Sequence, residues 1–531
     1  MKMKNLKKSL LIVLALCMLL SGCNGKKEEA STGDANIDLS SYPIETDVTL
    51  TYFRAMPSNA ATLVDNYGET NYAKEFEKRT GVKLEYMHPG AGAIVEALNL
   101  MVASDELPDI VEYAWVSDYV GGPSKAINDD VIVSLNDYKE YAPALFARLA
   151  ENEEYDKAVK TDNGDYYGFP MIQESLKLAV TNGPVVRADW LRELGLDAPK
   201  TLADWEEMLT AFKEKKGAKA PFSFNYGVPN AFFALLNCSR DAYIKGDKVV
   251  YGAVQEEFKE ALTLARDWFE KGLLDNNIAS VDSKLTGSQL LSGTTGATFL
   301  SGGSGIGPYL QSGQAENPEF DLMPVSFPSK AEGEVNTWMP ASRPIGGAAT
   351  AAITTKCKYP ALAAKVLDYV FTEEGYILAN FGIEGKTFTM VDGVPTYTEL
   401  ITNNPDGLTF SQALGMNVKA GASSSGVVSE NYITQYYALP QQRAALDVWP
   451  VGAEKAIEKK LPSITPKDEE LTEYAGIMNE VQKYRDQMVI KFITGIEPLS
   501  KFDEYVERMN GYGLPRAMEI QTAALKRYNA R

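Results

Sequence analysis

The sequence has a single histidine, His88, and only four cysteines among its 531 residues. One histidine excludes every site that needs two, including the histidine-rich zinc sites. Four cysteines in so long a chain cannot form the disulfide framework of a small secreted domain. Basic residues are also few, with 52 Lys and Arg against 71 Asp and Glu. This acidic balance argues against a nucleic-acid-binding protein, which needs clustered positive charge.

The remaining composition is that of an ordinary soluble globular protein. Apolar residues make up 45% of the chain and charged residues 23%, so a disordered chain is excluded. The length predicts two or three domains with a large buried core. After the first apolar segment, no stretch is typical of a transmembrane span.

The first 22 residues have the pattern of a secretory signal. Four lysines within the first eight residues precede an apolar run over residues 10–20, which is too short to span a bilayer. The Leu-Ser-Gly-Cys that ends at Cys23 resembles the lipobox of bacterial lipoproteins, which implies cleavage before Cys23 and its lipidation. A plain signal peptide that ends near a cysteine is the alternative. The polar residues within 23–45 predict a flexible tether.

Two cysteines, Cys238 and Cys357, lie in the body of the chain. They can form at most one disulfide bond, and two buried free thiols are the alternative. The sequence leaves the choice between them open.

The body of the chain begins with alternating strands and helices. Strands are predicted at 48–53, 82–86 and 109–113, with helices at 72–78 and near 91–103 between them. This order predicts a βαβαβ unit with a parallel sheet, the start of an α/β lobe. Gly81 is predicted to end the first helix.

Two features further along the chain predict local structure. Thr201 and Asp204 predict a capping box at the start of a helix over 201–212. Its apolar face makes Trp205, like Trp190 before it, a predicted core residue. The Gly-rich stretch 287–307 is not a P-loop, because no Gly-Lys-Ser/Thr follows it.

Several short segments together carry a resemblance to a known family. They include Phe-Glu-Lys-Arg-Thr-Gly-Val-Lys-Leu at 76–84 and Asn-Leu-Met-Val-Ala-Ser-Asp-Glu-Leu-Pro-Asp-Ile at 99–110. In this order the chain resembles the extracellular solute-binding proteins of family 1, which capture sugars for ABC importers, most of all their large Gram-positive lipoprotein branch. The other matching segments are spread along nearly the whole mature chain: 121–127, 167–170, 187–191, 268–275, 492–495 and 514–516.

The resemblance implies a two-lobe, periplasmic-binding-protein-like α/β fold of type II, with ligand trapped in a central cleft. Hinge strands are expected near 168–172 and 340–347. Lobe 1 is expected to comprise 46–170 with part of about 345–385, and lobe 2 to comprise 171–344 with most of 386–531.

The same resemblance implies a function. The protein would be a monomeric, lipid-anchored binding protein on the extracellular face of the membrane, delivering a carbohydrate, such as an oligosaccharide, to an ABC permease. No cofactor and no nucleic acid are implied. Many relatives bind calcium in an acidic loop after the helix equivalent to 201–212. Here residues 216–221 read Lys-Gly-Ala-Lys-Ala-Pro, without carboxylates, so no metal site is expected.

Ligands of parallel α/β sheets bind beyond the carboxyl ends of the strands. The residues just beyond the three predicted strands are Arg54, His88 and Trp115. Trp115 could stack on a sugar ring, while Arg54 and His88 could form hydrogen bonds with it. A surface or loop role for His88, and a salt-bridged surface role for Arg54, are the alternatives.

Further candidates come from later loops. Glu174 lies just beyond the first crossing strand. Four more ligand-binding candidates lie in Gly-rich or hinge-proximal loops: Ser301, Ser304, Trp338 and Arg343. Three tyrosines near residue 435 either extend the site or belong to the core: Tyr432, Tyr436 and Tyr437.

Other functions compete with binding. A surface glycoside hydrolase or lyase would use a pair of carboxylates, and no feature singles out such a pair among the 71 acids. A serine hydrolase could use His88, but the sequence contains no Gly-x-Ser-x-Gly nucleophile motif. A surface chaperone or adhesin is a third class. The favoured interpretation is a binding protein without catalytic residues.

Overall fold

The computed structural model of the protein describes residues 33–225, 229–345, 349–419 and 424–531. The predicted signal segment with Cys23, and residues 346 and 347 of the second predicted crossing, lie outside these ranges. None of the helices in the described ranges is long and apolar enough to cross a membrane.

The helices are α1 Asn71–Thr80, α2 Ile94–Ser104, α3 Gly122–Asn128, α4 Pro143–Ala150, α5 Glu153–Ala158, α6 Ala188–Leu194, α7 Leu202–Lys216, α8 Asn230–Leu235, α9 Glu256–Glu270, α10 Ser283–Leu291, α11 Gly307–Glu316, α12 Pro360–Asp368, α13 Glu373–Phe381, α14 Glu399–Thr402, α15 Phe410–Asn417, α16 Glu430–Tyr436, α17 Pro440–Val448, α18 Ala453–Lys459, α19 Leu471–Thr494, α20 Phe502–Gly511 and α21 Leu514–Asn529.

The strands are short and belong to several small sheets. In chain order they are β1 Thr49–Phe53, β2 Lys83–Met87, β3 Ile110–Tyr113, β4 Met171–Gln173, β5 Asn182–Arg187, β6 Ala242–Lys245, β7 Lys248–Tyr251, β8 Ala297–Ser301, β9 Leu322–Pro324, β10 Thr350–Ile353, β11 Phe388–Val391, β12 Val394–Tyr397 and β13 Gly426–Val428.

The sheet of the first lobe has four strands in the order β10-β3-β1-β2. Strand β1 pairs in parallel with both β2 and β3, and β10 joins the edge antiparallel to β3. The predicted parallel βαβαβ unit is therefore confirmed. Helix α1 ends at Gly81, whose φ of 78° is a left-handed conformation that glycine adopts without steric cost. Ile110 and Val111 of β3 are fully buried, as is usual for a parallel strand.

The second lobe is built on a three-stranded sheet in which β5 lies between β8 and β9, both antiparallel to it. Helix α7 begins with the predicted capping box. The Thr201 hydroxyl accepts from the Asp204 amide at 3.2 Å, and the Asp204 carboxylate accepts from the Thr201 amide at 2.9 Å. Trp190 and Trp205 lie in the core, as predicted.

Each lobe has its own hydrophobic core, assembled from distant parts of the chain. The first core draws on residues 44–172 and 345–379, with Val427 added from a later strand. The second core draws on residues 179–341 and again on 445–517. The chain therefore passes between the lobes more than once, and the C-terminal helices complete the second core.

The described residues contain a third, smaller core of twelve buried residues, which no local pattern in the sequence predicted. It draws mainly on residues 381–446, including the β11–β12 hairpin. Two of the polar contacts between this third cluster's segments and the first lobe are side-chain hydrogen bonds of asparagines. The Asn59 side chain donates to the Ser411 carbonyl at 3.2 Å, and the Asn71 amide donates to Asn417 Oδ1 at 2.9 Å.

Three extended segments lie side by side where the lobes connect. Strand β4 pairs in parallel with β13, and Ile172 in β4 also forms an antiparallel bridge with Ile345. Phe169 forms a similar bridge with Ala351. Gly168 has no room for a side chain, because a Cβ there would lie 2.6 Å from the Ala351 carbonyl oxygen. The connection between the lobes thus includes short extended segments that pair with one another.

Candidate functional site

A cavity of about 580 Å³ lies where both lobes and the third cluster meet, and we call it the cleft cavity. The first lobe contributes residues 54–59, directly after β1. The crossing strand β4 contributes Met171 and Gln173. The second lobe and the third cluster contribute Leu178, Thr181, Ser301, Gly303, Ser304, Ser411, Leu414, Val428, Tyr432, Ile433, Tyr436 and Tyr437.

Arg54 is the charged residue of the first-lobe wall. It is only 3% exposed. Its Nη1 atom lies 3.9 Å from Glu112 Oε2, and its Nε donates a long 3.4 Å hydrogen bond to the Ala55 carbonyl. Its guanidinium carbon lies 4.5 Å from the centre of the Tyr67 ring, within reach of a cation–π interaction. The side chain is therefore held from several sides.

Glu112 and Lys419 complete a buried group of charges with Arg54, which we call the charge cluster. Glu112 accepts a short hydrogen bond from the Tyr52 hydroxyl, and Lys419 Nζ donates to Ser425 Oγ at 3.0 Å. Burial alone would raise the pKa of Glu112, but Arg54 and Lys419 beside it bring that pKa below its usual value. Burial lowers the pKa of Lys419 to about 8, although the nearby Glu112 charge opposes this shift.

A glycine-rich turn forms the second-lobe wall of the cleft cavity. Ser301 ends β8, and a π-helical turn, Gly302–Ile306, follows it. The buried Gln442 side chain donates to the Gly302 carbonyl at 2.8 Å. The hydroxyls of Ser301 and Ser304 lie 2.7 Å apart and can both offer hydrogen bonds to a ligand.

Three tyrosines form the aromatic wall of the cleft cavity. Tyr432 and Tyr436 are stacked with ring centres 6.0 Å apart, and Tyr437 lies 5.8 Å from Tyr436. Tyr432 and Tyr437 are buried in the third cluster, whereas Tyr436 is only half-buried. Gly303 lacks a side chain where a Cβ would lie 2.5 Å from the Tyr436 ring. The tyrosines thus serve both the core and the cavity.

His88 lies next to Arg54 but is occupied by the backbone. Its Nε2 atom accepts a hydrogen bond from the Tyr67 amide at 3.0 Å, and its Nδ1 atom lies 3.0 Å from the Arg54 carbonyl oxygen. Burial lowers the pKa of His88. A neutral imidazole protonated on Nδ1 satisfies both contacts, so His88 fixes the backbone at the end of β1 rather than lining the cleft cavity.

Trp115 lies in the core of the first lobe, contrary to its predicted place at the sheet edge. It is 1% exposed, and its indole nitrogen donates to the Thr350 carbonyl at 3.0 Å. Its ring packs edge-on against Tyr113 at 5.4 Å. Trp115 follows the end of β3, but burial in the first-lobe core leaves its ring no free face for a ligand.

Glu174 and Arg343 lie near the connection between the lobes, outside the cavity lining. Glu174 caps helix α16, accepting from the Glu430 amide at 2.6 Å and from the Ser429 hydroxyl at 3.1 Å. Arg343 pairs with Glu154 at 3.1 Å and donates to the Lys460 carbonyl at 2.7 Å. Both side chains have structural partners that occupy their polar groups.

Trp338 lines a different cavity, of about 280 Å³, in the second lobe. Lys459 Nζ lies 3.9 Å from its ring centre, and Tyr243 packs edge-on at 4.9 Å. The structure therefore brings together Arg54, Ser301 and Ser304 of the predicted residues, with the three tyrosines, and leaves Trp338 elsewhere.

Several lining residues were not found by sequence reasoning. Gln173 and Asn59 offer amide groups to the cavity, and Lys419 lies behind its wall. Glu112 had a usable signal, because a carboxylate within a buried parallel strand needs a buried partner. Lys419 had none, since the charged residues beside it, Arg54 and Glu112, are more than 300 residues away in the sequence.

The remaining chemistry-bearing groups do not form a further site. Cys238 and Cys357 are free thiols, the first buried and the second half-buried. Within the described ranges, no three or more His, Cys, Asp and Glu side chains are grouped so that they could hold a metal ion. The lack of a calcium site at residues 216–221 stays a prediction.

Comparison with known proteins gives three relevant similarities. A family model described as bacterial extracellular solute-binding protein matches residues 60–377. The fructooligosaccharide ABC transporter substrate-binding protein FusA of Streptococcus pneumoniae is 29% identical over 296 residues, which are 52% of this chain and 54% of FusA. The match thus spans about half the length of FusA. The polygalacturonan/rhamnogalacturonan-binding protein YtcQ of Bacillus subtilis is 22% identical over 530 residues, 97% of this chain and 98% of YtcQ.

Among solved structures, the alginate-binding protein AlgQ2 without calcium ion is similar over nearly its whole length. The superposition has a TM-score of 0.71 and 23% sequence identity, and it covers 91% of this chain and 99% of AlgQ2. This similarity confirms the predicted fold class, the two-lobe α/β fold of type II.

Proposed function

The chain belongs to the family of bacterial extracellular solute-binding proteins, and from this premise we propose that it captures an oligosaccharide in the cleft cavity and delivers it to the membrane permease of an ABC importer. The family consists of substrate-binding proteins, which are not enzymes. The observation that carries the proposal is the cleft cavity itself, which is lined from both lobes and walled by aromatic rings.

The cleft cavity suits a carbohydrate in size and chemistry. Its volume of about 580 Å³ lies within the usual range of small-ligand sites. Tyr436 offers a ring face on which a sugar can stack, and the hydroxyls of Ser301 and Ser304 offer hydrogen bonds. We propose Arg54, Ser301, Ser304 and Tyr436 as ligand contacts, in place of His88, Trp115, Glu174, Trp338 and Arg343.

We propose that the two lobes close around the ligand by hinge motion of the extended segments that connect them. The lobes have separate cores, and the predicted division into 46–170 and 171–344, each with its later part, remains our proposal. In hinge motion, a few residues at the ends of connecting elements absorb the change in backbone angles while the lobes move as rigid bodies. Ligand bound to both walls would favour the closed form.

The rival function, a glycoside hydrolase, would need two carboxylates about 5–10 Å apart at the site. Among the described residues that line the cleft cavity, none is Asp, Glu or His. This lining favours binding without turnover.

The test of the function is a panel of oligosaccharides added to the purified mature chain. We expect at least one to raise the melting temperature, since ligand at 100 times its Kd stabilises a protein by about 2.7 kcal/mol. No new reducing ends should appear during long incubation. If reducing ends were released at a rate proportional to the protein concentration, the protein would be an enzyme instead. If no oligosaccharide of the panel bound, the proposal would be wrong.

We further propose that the protein is monomeric and anchored at the outer face of the membrane through a lipid on Cys23. Cells fed labelled palmitate should label the mature chain, whereas Cys23→Ser should remain unlabelled, because its hydroxyl replaces the acceptor thiol. Cys357→Ser, which removes a half-buried thiol of the body, is the matched control and should label like the natural chain. Label on Cys23→Ser would contradict the anchor.

A further inference from the structure

The charge of the cleft cavity is opposite to the charge of the chain. The sequence carries 71 acids against 52 bases. Yet Arg54 is the sole charged side chain among the described residues that line the cleft cavity. A random sample of this protein's surface would include more carboxylates than basic groups. The lining therefore excludes negative charge where a ligand binds.

The charge cluster behind the wall adds to this imbalance. It contains two cations, Arg54 and Lys419, and one anion, Glu112, and each residue is at most 8% exposed. Arg54 lines the cleft cavity. It also lines a small cavity of about 10 Å³, and Lys419 lines that same small cavity. Arg54 thus links the buried lysine to the cleft.

Among the described residues of the cluster, Glu112 is the sole anion, so one of the two positive charges has no anionic partner. Lys419 donates to the Ser425 hydroxyl, and the Arg54–Glu112 distance of 3.9 Å is at the outer limit of an ion pair. Burying an uncompensated charge is unfavourable, and interactions with it are screened less than at a surface. An anion in the cleft cavity would compensate it.

Other charges near the rim do not provide this compensation. Lys177 and Glu430 neutralise each other at 2.7 Å. Glu174 is exposed, and its charge is already stabilised by the N-terminus of helix α16. Water screens an exposed carboxylate, so it acts on the cluster much less than a ligand group in the cavity.

We propose that the ligand is an anionic oligosaccharide whose acidic group sits against Arg54 and is held by the net positive charge of the Arg54–Lys419–Glu112 cluster. This inference rests on the proposed function and names its substrate class. The acidic group can be the carboxylate of a uronic acid or a sulfate ester, since both are anions that arginine binds.

The test pairs acidic and neutral probes with variants of different cluster charge. Three probes are titrated by calorimetry. Two are linear tetragalacturonate and its carboxyl-reduced form, which is neutral. The third is the carboxyl-reduced tetramer with sulfate esters added, which is acidic again. The variants are Lys419→Met, with no net cluster charge, and Glu112→Gln, with two positive charges. Lys271→Met, on the surface of the second lobe, is the control.

We expect an acidic probe to bind the natural chain and Lys419→Met to bind it about tenfold more weakly, because a buried charge interaction is lost. Glu112→Gln should bind it about threefold more tightly, since the anion then meets two uncompensated cations. The neutral probe should bind weakly and equally to all variants. A merely structural role of Glu112 would instead weaken binding. Tighter binding of the carboxylate or of the sulfated probe identifies the acidic group.

The contrary outcomes are distinct. If neutral oligosaccharides bind and acidic ones do not, the inference is overturned while the proposed function stands. Acidic probes that bind Lys419→Met, Glu112→Gln and the natural chain with equal affinity overturn the inference as well. If no glycan binds, the proposed function fails and the inference with it. Lys419→Met keeps the Arg54–Glu112 pair and decides the question if Glu112→Gln does not fold.

The pH dependence gives a second readout. With its pKa at about 8, Lys419 of the free protein loses its proton as the pH rises through that value. An anion in the cleft favours the protonated form, so acidic-probe affinity should fall above pH 8 and binding should take up protons. Lys419→Met should lose this dependence. The ionisable groups that face Lys419 are Arg54, Glu112, Tyr52, Tyr72 and Tyr86.

Discussion

Replacing Trp115 with alanine is expected to lower the free energy of unfolding of the first lobe by about 3–5 kcal/mol, the usual range for a buried tryptophan. The side chain is 1% exposed, packs edge-on against Tyr113 and donates a hydrogen bond to the Thr350 carbonyl. Its removal leaves a cavity and an unsatisfied carbonyl. The melting temperature should fall by roughly 10 °C for a lobe of this size.

Two further variants make this result specific. Trp115→Phe keeps most of the volume and should lose less stability than alanine. Trp338→Ala removes a half-buried tryptophan of the second lobe and should cost about 1 kcal/mol or less. If Trp115→Ala melted like the natural chain but lost ligand binding, Trp115 would be a ligand contact after all.

Replacing Tyr436 with alanine is expected to weaken oligosaccharide binding at least about 30-fold, as for an aromatic residue that dominates an interface. Tyr436 is the half-buried member of the aromatic wall, and its neighbour Tyr432 is stacked behind it at 6.0 Å. A sugar ring can stack only on an accessible face, and removal of the Tyr436 ring removes that contact from the complex. Calorimetric titration well below the melting temperature measures the loss of affinity.

The matched control is Tyr484→Ala, in helix α19 of the second lobe. Tyr484 is also half-buried and belongs to an aromatic group, with Tyr505 at 5.6 Å and Tyr512 at 5.7 Å. It should lose comparable stability and no affinity. Tyr436→Phe should keep most of the affinity, because the ring remains. Equal losses for Tyr436→Ala and Tyr484→Ala would mean that the effect is one of folding.

The residues that follow the parallel strands of the first lobe were predicted from the sequence to contact ligand, and only one of them lines the cleft cavity. Parallel strands place their carboxyl ends together, and Arg54 does lie at the wall of the cleft cavity. The same rule says nothing about burial, and Trp115 is buried in the core, where it donates a hydrogen bond to the carbonyl of Thr350, 235 residues further along the chain. His88 lies next to Arg54, as the rule predicts, but both its ring nitrogens contact the backbone, at residues 54 and 67.

The aromatic wall could not be assigned by pattern. Tyr432 and Tyr436 have helical spacing, which is equally typical of a core face and of a binding surface. Their exposure depends on how closely the turn at Gly303 approaches, and that turn is more than 120 residues away.

The sequence by itself determined the three parallel strands of the first-lobe sheet, the two helices between them and the helix end at Gly81, because these follow from local periodicity and from interactions between residues close in the chain. It also excluded sites that need two histidines and argued against nucleic-acid binding. Only the tertiary structure decided which side chains face the cleft cavity and that Lys419 and Glu112 share one buried charge cluster with Arg54. Such placement depends on packing between segments hundreds of residues apart, and no local pattern encodes it.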